Sequence, residues 1–204
     1  MSLDEYRKTI AEQKRQSVLD AAVKHFLAIG YERTTLEMVA KEATVSTATV
    51  YKHFSTKRDL FGGIMARVWD VKVSATELSI ENADPETTLT AIGMEYARLL
   101  QEPEIKALTR VIIAEAPRFP ELGEELYRRG KEPYLKQLHT YLQQETEQCK
   151  YQIQDIPLAA RQFLGMINDV IFWPTFLVMN LEIDAAEVEC VVSEAVKTFL
   201  ARYK

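Results

Sequence analysis

Residues 44–54, TVSTATVYKHF, carry five hydroxyl side chains, a lysine and a histidine on one short stretch pinned by Val45, Val50 and Phe54. Hydroxyls, a phenol, an ammonium and an imidazole suit phosphate oxygens and base edges, and nothing in the stretch pairs a nucleophile with a base. On a helix advancing about 100° per residue, Val50 and Phe54 define a buried side. Ala48 and Lys52 then point directly away, flanked by Thr49 and Tyr51. Small side chains on the outward face let such a helix sit deep in a major groove. Thr47 and Thr49 can touch base edges or thymine methyls, while Tyr51, His53 and the later Lys57 can donate to phosphates, which fix register without carrying sequence information. Taken alone, the stretch fits a plain surface helix better.

The flanking elements therefore matter. Over residues 14–29, Val18, Leu19, Ala22, Val23, Phe26 and Leu27 recur at three- and four-residue intervals, and Gly30 follows as a stop signal, predicting a first helix. Leu36, Val39, Ala40 and Ala43 predict a short second helix, with Thr34 or Thr35 as its N-cap. Thr44 and Val45 leave room only for a tight turn, and Ser46 caps a third helix reaching about His53. Two short helices joined by such a turn make a helix-turn-helix. A longer fourth helix, capped by Ser55 or Thr56, is expected over roughly residues 57–78. Further helices are expected over roughly 86–100, 104–116, 121–148, 157–178 and 184–203, for nine in all, with no strand signal and no internal repeat.

The run TTLEMVAKEATVSTATVYKHFSTKRDLF resembles the DNA-binding segment of the TetR/AcrR family of bacterial repressors over about residues 14–61. The resemblance implies that Thr47, Ala48 and Thr49 approach bases and that Thr35, Tyr51, His53 and Lys57 hold phosphates. With Ser46 and Lys52 these make up the expected DNA-binding set. Two departures stand out: Thr44 replaces the usual turn glycine, and Ala48 replaces a frequent glycine of the recognition helix. A β-branched residue at positive φ is strained, so the turn at Thr44 is expected to differ in shape; the helix itself gains from Ala48.

In the rest of the chain, IIAEAPRFPELGEELYRRG and AARQFLGMI resemble the AefR-like C-terminal domains of the same family. The resemblance implies that the last two helices pair with their copies in a second subunit. The residues allow it. Val188, Val192, Ala195, Val196 and Phe199 form one apolar stripe, and Phe163, Ile167 and Ile171 form another one helix earlier; both stripes are also compatible with intrachain core. Met65, Trp69, Tyr96, Tyr127, Met166, Phe172 and Trp173 are ordinary core residues taken singly, and as a group could line an apolar ligand pocket. Glu121, Glu124, Glu125 and Glu132, interleaved with Arg128, Arg129 and Lys131, read as a solvated face of helical ion pairs. His25 reads as a half-buried packing residue and His139 as a surface one.

Composition sets the outer limits. A chain of 204 residues with 47% hydrophobic and 27% charged content, 7 Gly and 7 Pro fits a globular helical protein of one or two domains. Cys149 and Cys190 have no metal-like spacing and suit packing residues or free thiols in a reducing cytosol. The uncharged run 170–181 is too short to span a membrane and contains Pro174. Residues 1–60 hold ten Lys and Arg against eight Asp and Glu, while 61–204 hold fifteen against twenty-two, so only the first segment suits a polyanion. No Gly-rich phosphate loop, metal set or cofactor motif is visible, so an enzyme is not expected.

The expectation is thus an all-α, cytoplasmic, homodimeric transcription regulator. Residues 1–60 form its helix-turn-helix DNA-binding domain and 61–204 an effector-binding and dimerisation domain. A small apolar or amphipathic ligand releases it from a palindromic operator, helix four coupling the two sites past Trp69. The alternative is a DNA-binding protein of the same fold that answers to a protein partner or acts architecturally.

Overall fold

The helices follow from the caps and periodicities legible in the chain. The computed structural model describes residues 2–73, 84–148 and 150–204, and every regular element among them is helical. Helix α1 (Leu3–Arg33) begins well before residue 14, because Ser2 and Glu5 close a reciprocal capping box: Glu5 N–H donates to Ser2 Oγ at 3.2 Å and Ser2 N–H to Glu5 Oε2 at 2.6 Å. The helix is interrupted at Gly30, whose φ of 84° only glycine adopts without cost, and Tyr31–Arg33 form one further turn.

Next come α2 (Leu36–Glu42), α3 (Thr47–His53), α4 (Lys57–Val73), α5 (Pro85–Gln101) and α6 (Pro103–Glu115). Thr56 Oγ1 accepts the Asp59 N–H at 3.0 Å and so caps α4, whose expected continuation to residue 78 lies outside the described residues. The helix expected over 121–148 is α7 (Glu121–Glu125), a π-helical stretch (Leu126–Lys131) and α8 (Glu132–Glu147) running one into the next. Pro133 has no N–H to offer the carbonyl four residues back, and the backbone widens into the π turn just ahead of it. Helices α9 (Ile156–Leu177) and α10 (Ala185–Tyr203) complete the nine expected helical stretches among the described residues.

The chain divides into two compact units. One comprises residues up to Val68 together with Ala107–Gly130; the other comprises Trp69–Lys106 and Lys131–Lys204. The first unit therefore extends past residue 60 and recruits the end of α6 and all of α7. Leu108, Ile112 and Leu122 join Leu19, Phe26 and Phe61 in its core. Phe26, Tyr31 and Phe61 pack as a trio with ring centroids 5.4–5.8 Å apart, and burying each such ring is worth roughly 1.5–3 kcal/mol.

In the second unit, α9 and α10 pack on α5. The approach is close at Gly93, where an added Cβ would lie 2.8 Å from Val192, 3.2 Å from Ile167 and 3.4 Å from Phe163. All eight residues expected at a subunit interface (Phe163, Ile167, Ile171, Val188, Val192, Ala195, Val196 and Phe199) are buried within the chain itself. Their apolar stripes are covered inside this unit. Two charged-surface expectations also change. Glu125 is 1% exposed rather than solvated, and His139 is half-buried, its Nε2 shielded from solvent. His25 is half-buried as expected, and Cys149 lies outside the described residues.

Candidate nucleic-acid interface

The helix-turn-helix is built from side-chain caps at both starts and an apolar clamp beneath. Thr35 Oγ1 accepts the Met38 N–H at 3.3 Å and caps α2, which buries Leu36, Val39 and Ala40. Thr34, the other candidate cap, is instead buried, its hydroxyl on the Gly30 carbonyl at 2.8 Å. At the end of α2, Val45 N–H donates to the Ala40 carbonyl at 3.0 Å, the six-to-one bond of a Schellman turn. That turn demands a left-handed residue, and Thr44 supplies it with φ 55°, the one non-glycine residue at positive φ among those described. The turn thus keeps the shape a glycine would give, and the strain is borne by a threonine.

Ser46 caps α3. Its Oγ accepts the Thr49 N–H at 3.1 Å and lies 2.8 Å from Thr49 Oγ1, so both hydroxyls are engaged with each other. Val50 and Phe54 are buried beneath the helix, and Arg15 of α1 lies over the Phe54 ring at 5.7 Å. The opposite face carries Ala48, Tyr51 and Lys52 exposed, with Thr47, Thr49 and His53 half-exposed around them. This is the outward face that the spacing predicted.

Tyr51 is braced from α2: its hydroxyl donates to Glu37 Oε1 at 3.3 Å. Glu37 is held below its ordinary value by its own backbone N–H and the Thr35 hydroxyl, with Tyr51 adding to them, and its charge in turn raises Tyr51. Thr35, Glu37 and Tyr51 therefore form one exposed polar array. Glu37 had no part in the expected DNA-binding set.

Lys57 is arranged otherwise than expected. Its Nζ donates to the backbone carbonyls of Tyr31 at 2.8 Å, Glu32 at 3.0 Å and Thr34 at 3.1 Å. All three ammonium protons are used, so in this structure Lys57 has none for a phosphate. It closes the end of α1 instead. Sequence pattern cannot distinguish a lysine aimed at a phosphate from one aimed at a carbonyl, since both sit at a helix start beside the same motif.

Against known proteins, the model for bacterial regulatory proteins of the tetR family matches residues 18–64, and the AefR-like transcriptional repressor C-terminal domain matches 87–204, more than half the chain. The chain belongs to the tetR family. The regulator is 31% identical to a tetR-family transcriptional regulator from Mesorhizobium loti, with a TM-score of 0.80 over 95% of this chain and 98% of that one. It is 25% identical to the HTH-type transcriptional regulator SrpR of Pseudomonas putida over 81% of this chain and 78% of SrpR. The fold is shared at lower identity: 24% with the flavonoid-responsive regulator FrrA, TM-score 0.80 over 95% of this chain and 98% of that one, and 17% with Bacillus subtilis FadR, solved with stearoyl-CoA, TM-score 0.70 over 91% and 97%. This protein is accordingly a DNA-binding transcriptional regulator.

The residues expected around an effector fall in both units. Met65 is buried in the core of the first unit, and Tyr127 lies in the same unit at 44% exposure. Trp69 belongs to α4, but its side chain lies outside the described residues. Tyr96, Met166, Phe172 and Trp173 lie in the second unit. There Tyr96 is buried with its ring 5.3 Å from that of Tyr134, whose hydroxyl donates to the Ile92 carbonyl at 3.1 Å. Burial alone pushes the Tyr96 phenol up to about 12. A cleft of about 510 Å³ at the end of the same unit, between Thr146, Gln152, Asp155, Leu158 and Arg202, includes none of the expected residues. Among the described residues no group of His, Cys, Asp and Glu could hold a metal, and no helix is long and apolar enough to cross a membrane.

Proposed function

We propose that this regulator is a cytoplasmic, homodimeric repressor that reads a palindromic operator with α3 and releases it when a small apolar or amphipathic ligand enters the C-terminal portion. Residues 1–60 act as the DNA-binding part and 61–204 as the effector and dimerisation part. Thr47, Ala48 and Thr49 meet bases, while Thr35, Ser46, Tyr51, Lys52 and His53 meet the sugar–phosphate backbone. The observation that carries this reading is the face of α3, small at Ala48 and polar around it, held outward by buried Val50 and Phe54. Two relatives of the same fold point to the ligand class, one being flavonoid-responsive and the other bound to stearoyl-CoA. Buried Tyr96 and Phe172, with half-buried Met166, offer an apolar lining of that kind.

With the inner stripes of α9 and α10 consumed by α5, the subunits meet through the outer side of α9 and the loop after it. There Val170, Trp173, Leu177, Val178, Met179 and Leu181 are exposed, Leu177 at 72% and Met179 at 73%. So much contiguous apolar surface favours a second copy of the chain. Footprinting on DNA flanking the regulator's own gene, repeated across a titration of flavonoids and acyl-CoA thioesters, tests the reading. A protected palindrome that opens with ligand is expected. No protected site, or no ligand that opens it, would overturn the corresponding half.

A further inference from the structure

Two hydroxyls that suit phosphate contacts, one on each helix of the helix-turn-helix, already share an anion of the chain itself. The Tyr51 hydroxyl donates from α3 to Glu37 Oε1 on α2 at 3.3 Å. Thr35 Oγ1 accepts the Met38 N–H at 3.3 Å, which leaves its O–H free, and that O–H serves the same Glu37 carboxylate together with the Glu37 backbone N–H. A threonine and a tyrosine hydroxyl each have a single proton to give. Neither can serve a DNA phosphate and Glu37 at once. From Thr34 to Lys57 the acidic residues are Glu37 and Glu42. Glu42 is paired with Lys24 of α1, whereas Glu37 is exposed and takes neutral donors. These hydrogen bonds hold the Glu37 carboxyl below its ordinary range, so it stands beside Tyr51 as an anion at neutral pH.

We propose that Glu37 is an internal competitor for phosphate, which occupies the Thr35 and Tyr51 hydroxyls in the free protein and has to release both before a DNA backbone is seated there. This inference rests on the reading of Thr35 and Tyr51 as phosphate contacts. Carboxylate and phosphate compete because both offer anionic oxygens to the same donors. The Glu37 side chain is exposed and turns about three torsions, so it leaves by a change of rotamer without moving α2 or α3. Its departure costs the same on every sequence, since phosphates carry no sequence information. Glu37 therefore lowers the affinity for all DNA by one factor and leaves the ratio between operator and random DNA where α3 sets it. The effect falls first on random DNA, which is held by phosphate contacts alone and whose weaker complexes empty first at a given protein concentration.

The test uses the full-length protein, a duplex that the wild type selects from a random-sequence pool, and a duplex of unrelated sequence. Alanine is the best helix former and position 37 is exposed, so Glu37→Ala keeps the fold. It is expected to bind both duplexes about threefold to tenfold tighter than wild type, the worth of one hydrogen bond, with the ratio between them unchanged. Tyr51→Phe is expected to bind both more weakly. In the Tyr51→Phe background, where one of the two contested donors is gone, the gain from Glu37→Ala is expected to fall to about twofold. If Tyr51→Phe weakens binding while Glu37→Ala binds no tighter than wild type, the inference is overturned and the phosphate reading stands. A gain of equal size in both backgrounds shows charge repulsion at a distance rather than competition for the hydroxyls, and also overturns it. If Tyr51→Phe binds both duplexes as wild type does, the phosphate reading of Tyr51 fails and the inference falls with it.

Discussion

Lys57 Nζ lies 2.8 Å from the carbonyl oxygen of Tyr31 and 4.5 Å above the centre of its ring. One ammonium thus serves the last carbonyls of α1 and the face of an aromatic at once, in a site where burial draws its pKa down against the charges of Glu115, Glu32 and Glu121. The start of α4 is thereby tied to the end of α1, across the base of the helix-turn-helix.

It follows that Lys57→Met should lower stability by about 1–3 kcal/mol, because three carbonyls lose a charged donor. The slope of log affinity for DNA against log salt should stay at its wild-type value. A slope smaller by about one unit would mean that Lys57 reaches a phosphate in the complex after all.

Thr44 holds φ 55° where glycine is at ease. Thr44→Gly should raise the unfolding free energy by about 1 kcal/mol, the left-handed strain outweighing the extra entropy of glycine in the unfolded chain. Urea denaturation of both proteins, compared at equal m, measures it.

On the recognition helix, Thr49→Ala should cost about 1–3 kcal/mol on the operator and little on random DNA. Lys52→Ala should weaken both alike and lower the salt slope by about one unit. Fluorescence anisotropy with the two duplexes separates these patterns. Equal losses for Thr49→Ala on both would remove it from base readout.

Glu125 is buried, and although burial raises its pKa, hydrogen bonds from Arg58 and Arg128 and the charges of Arg128 and Arg129 hold it below its ordinary 4.5. A folded-state value lower than the unfolded one contributes stability that is complete above the unfolded value and lost as pH falls through the folded one. The protein should therefore soften below about pH 4.5, and Glu125→Gln should flatten this part of the profile while lowering stability at pH 7. Thermal melts from pH 7 to 3 report both effects.

For assembly, Leu177→Asp together with Trp173→Asp should yield folded monomers, since both side chains are exposed in the single chain. Val192→Glu should instead unfold the second unit, burying a carboxylate among Gly93, Ile167 and Phe163. Sedimentation velocity with circular dichroism distinguishes a folded monomer from an unfolded chain. A folded monomeric Val192→Glu would restore the inner stripe to the interface.

How far the sequence alone reached depends on whether a signal was local. The cap at Ser46, the stop at Gly30 and the outward face of α3 are set by residues within a turn or two of one another, so propensity and spacing determined them, and with them the helix-turn-helix and the all-helical class; the caps of α2 and α4 were narrowed to neighbouring pairs, and the structure chose Thr35 and Thr56. The apolar stripes of α9 and α10 were legible as stripes, but a stripe does not name its partner; the absence of a Cβ at Gly93 brings α5 close enough to cover them. Lys57 and Glu125 show the same limit for polar groups. The donors of the one and the charge of the other are satisfied by residues up to 26 and 67 positions away along the chain, and only tertiary packing decided that a lysine beside a DNA-binding motif closes a helix end and that a glutamate in a charged run is buried among arginines.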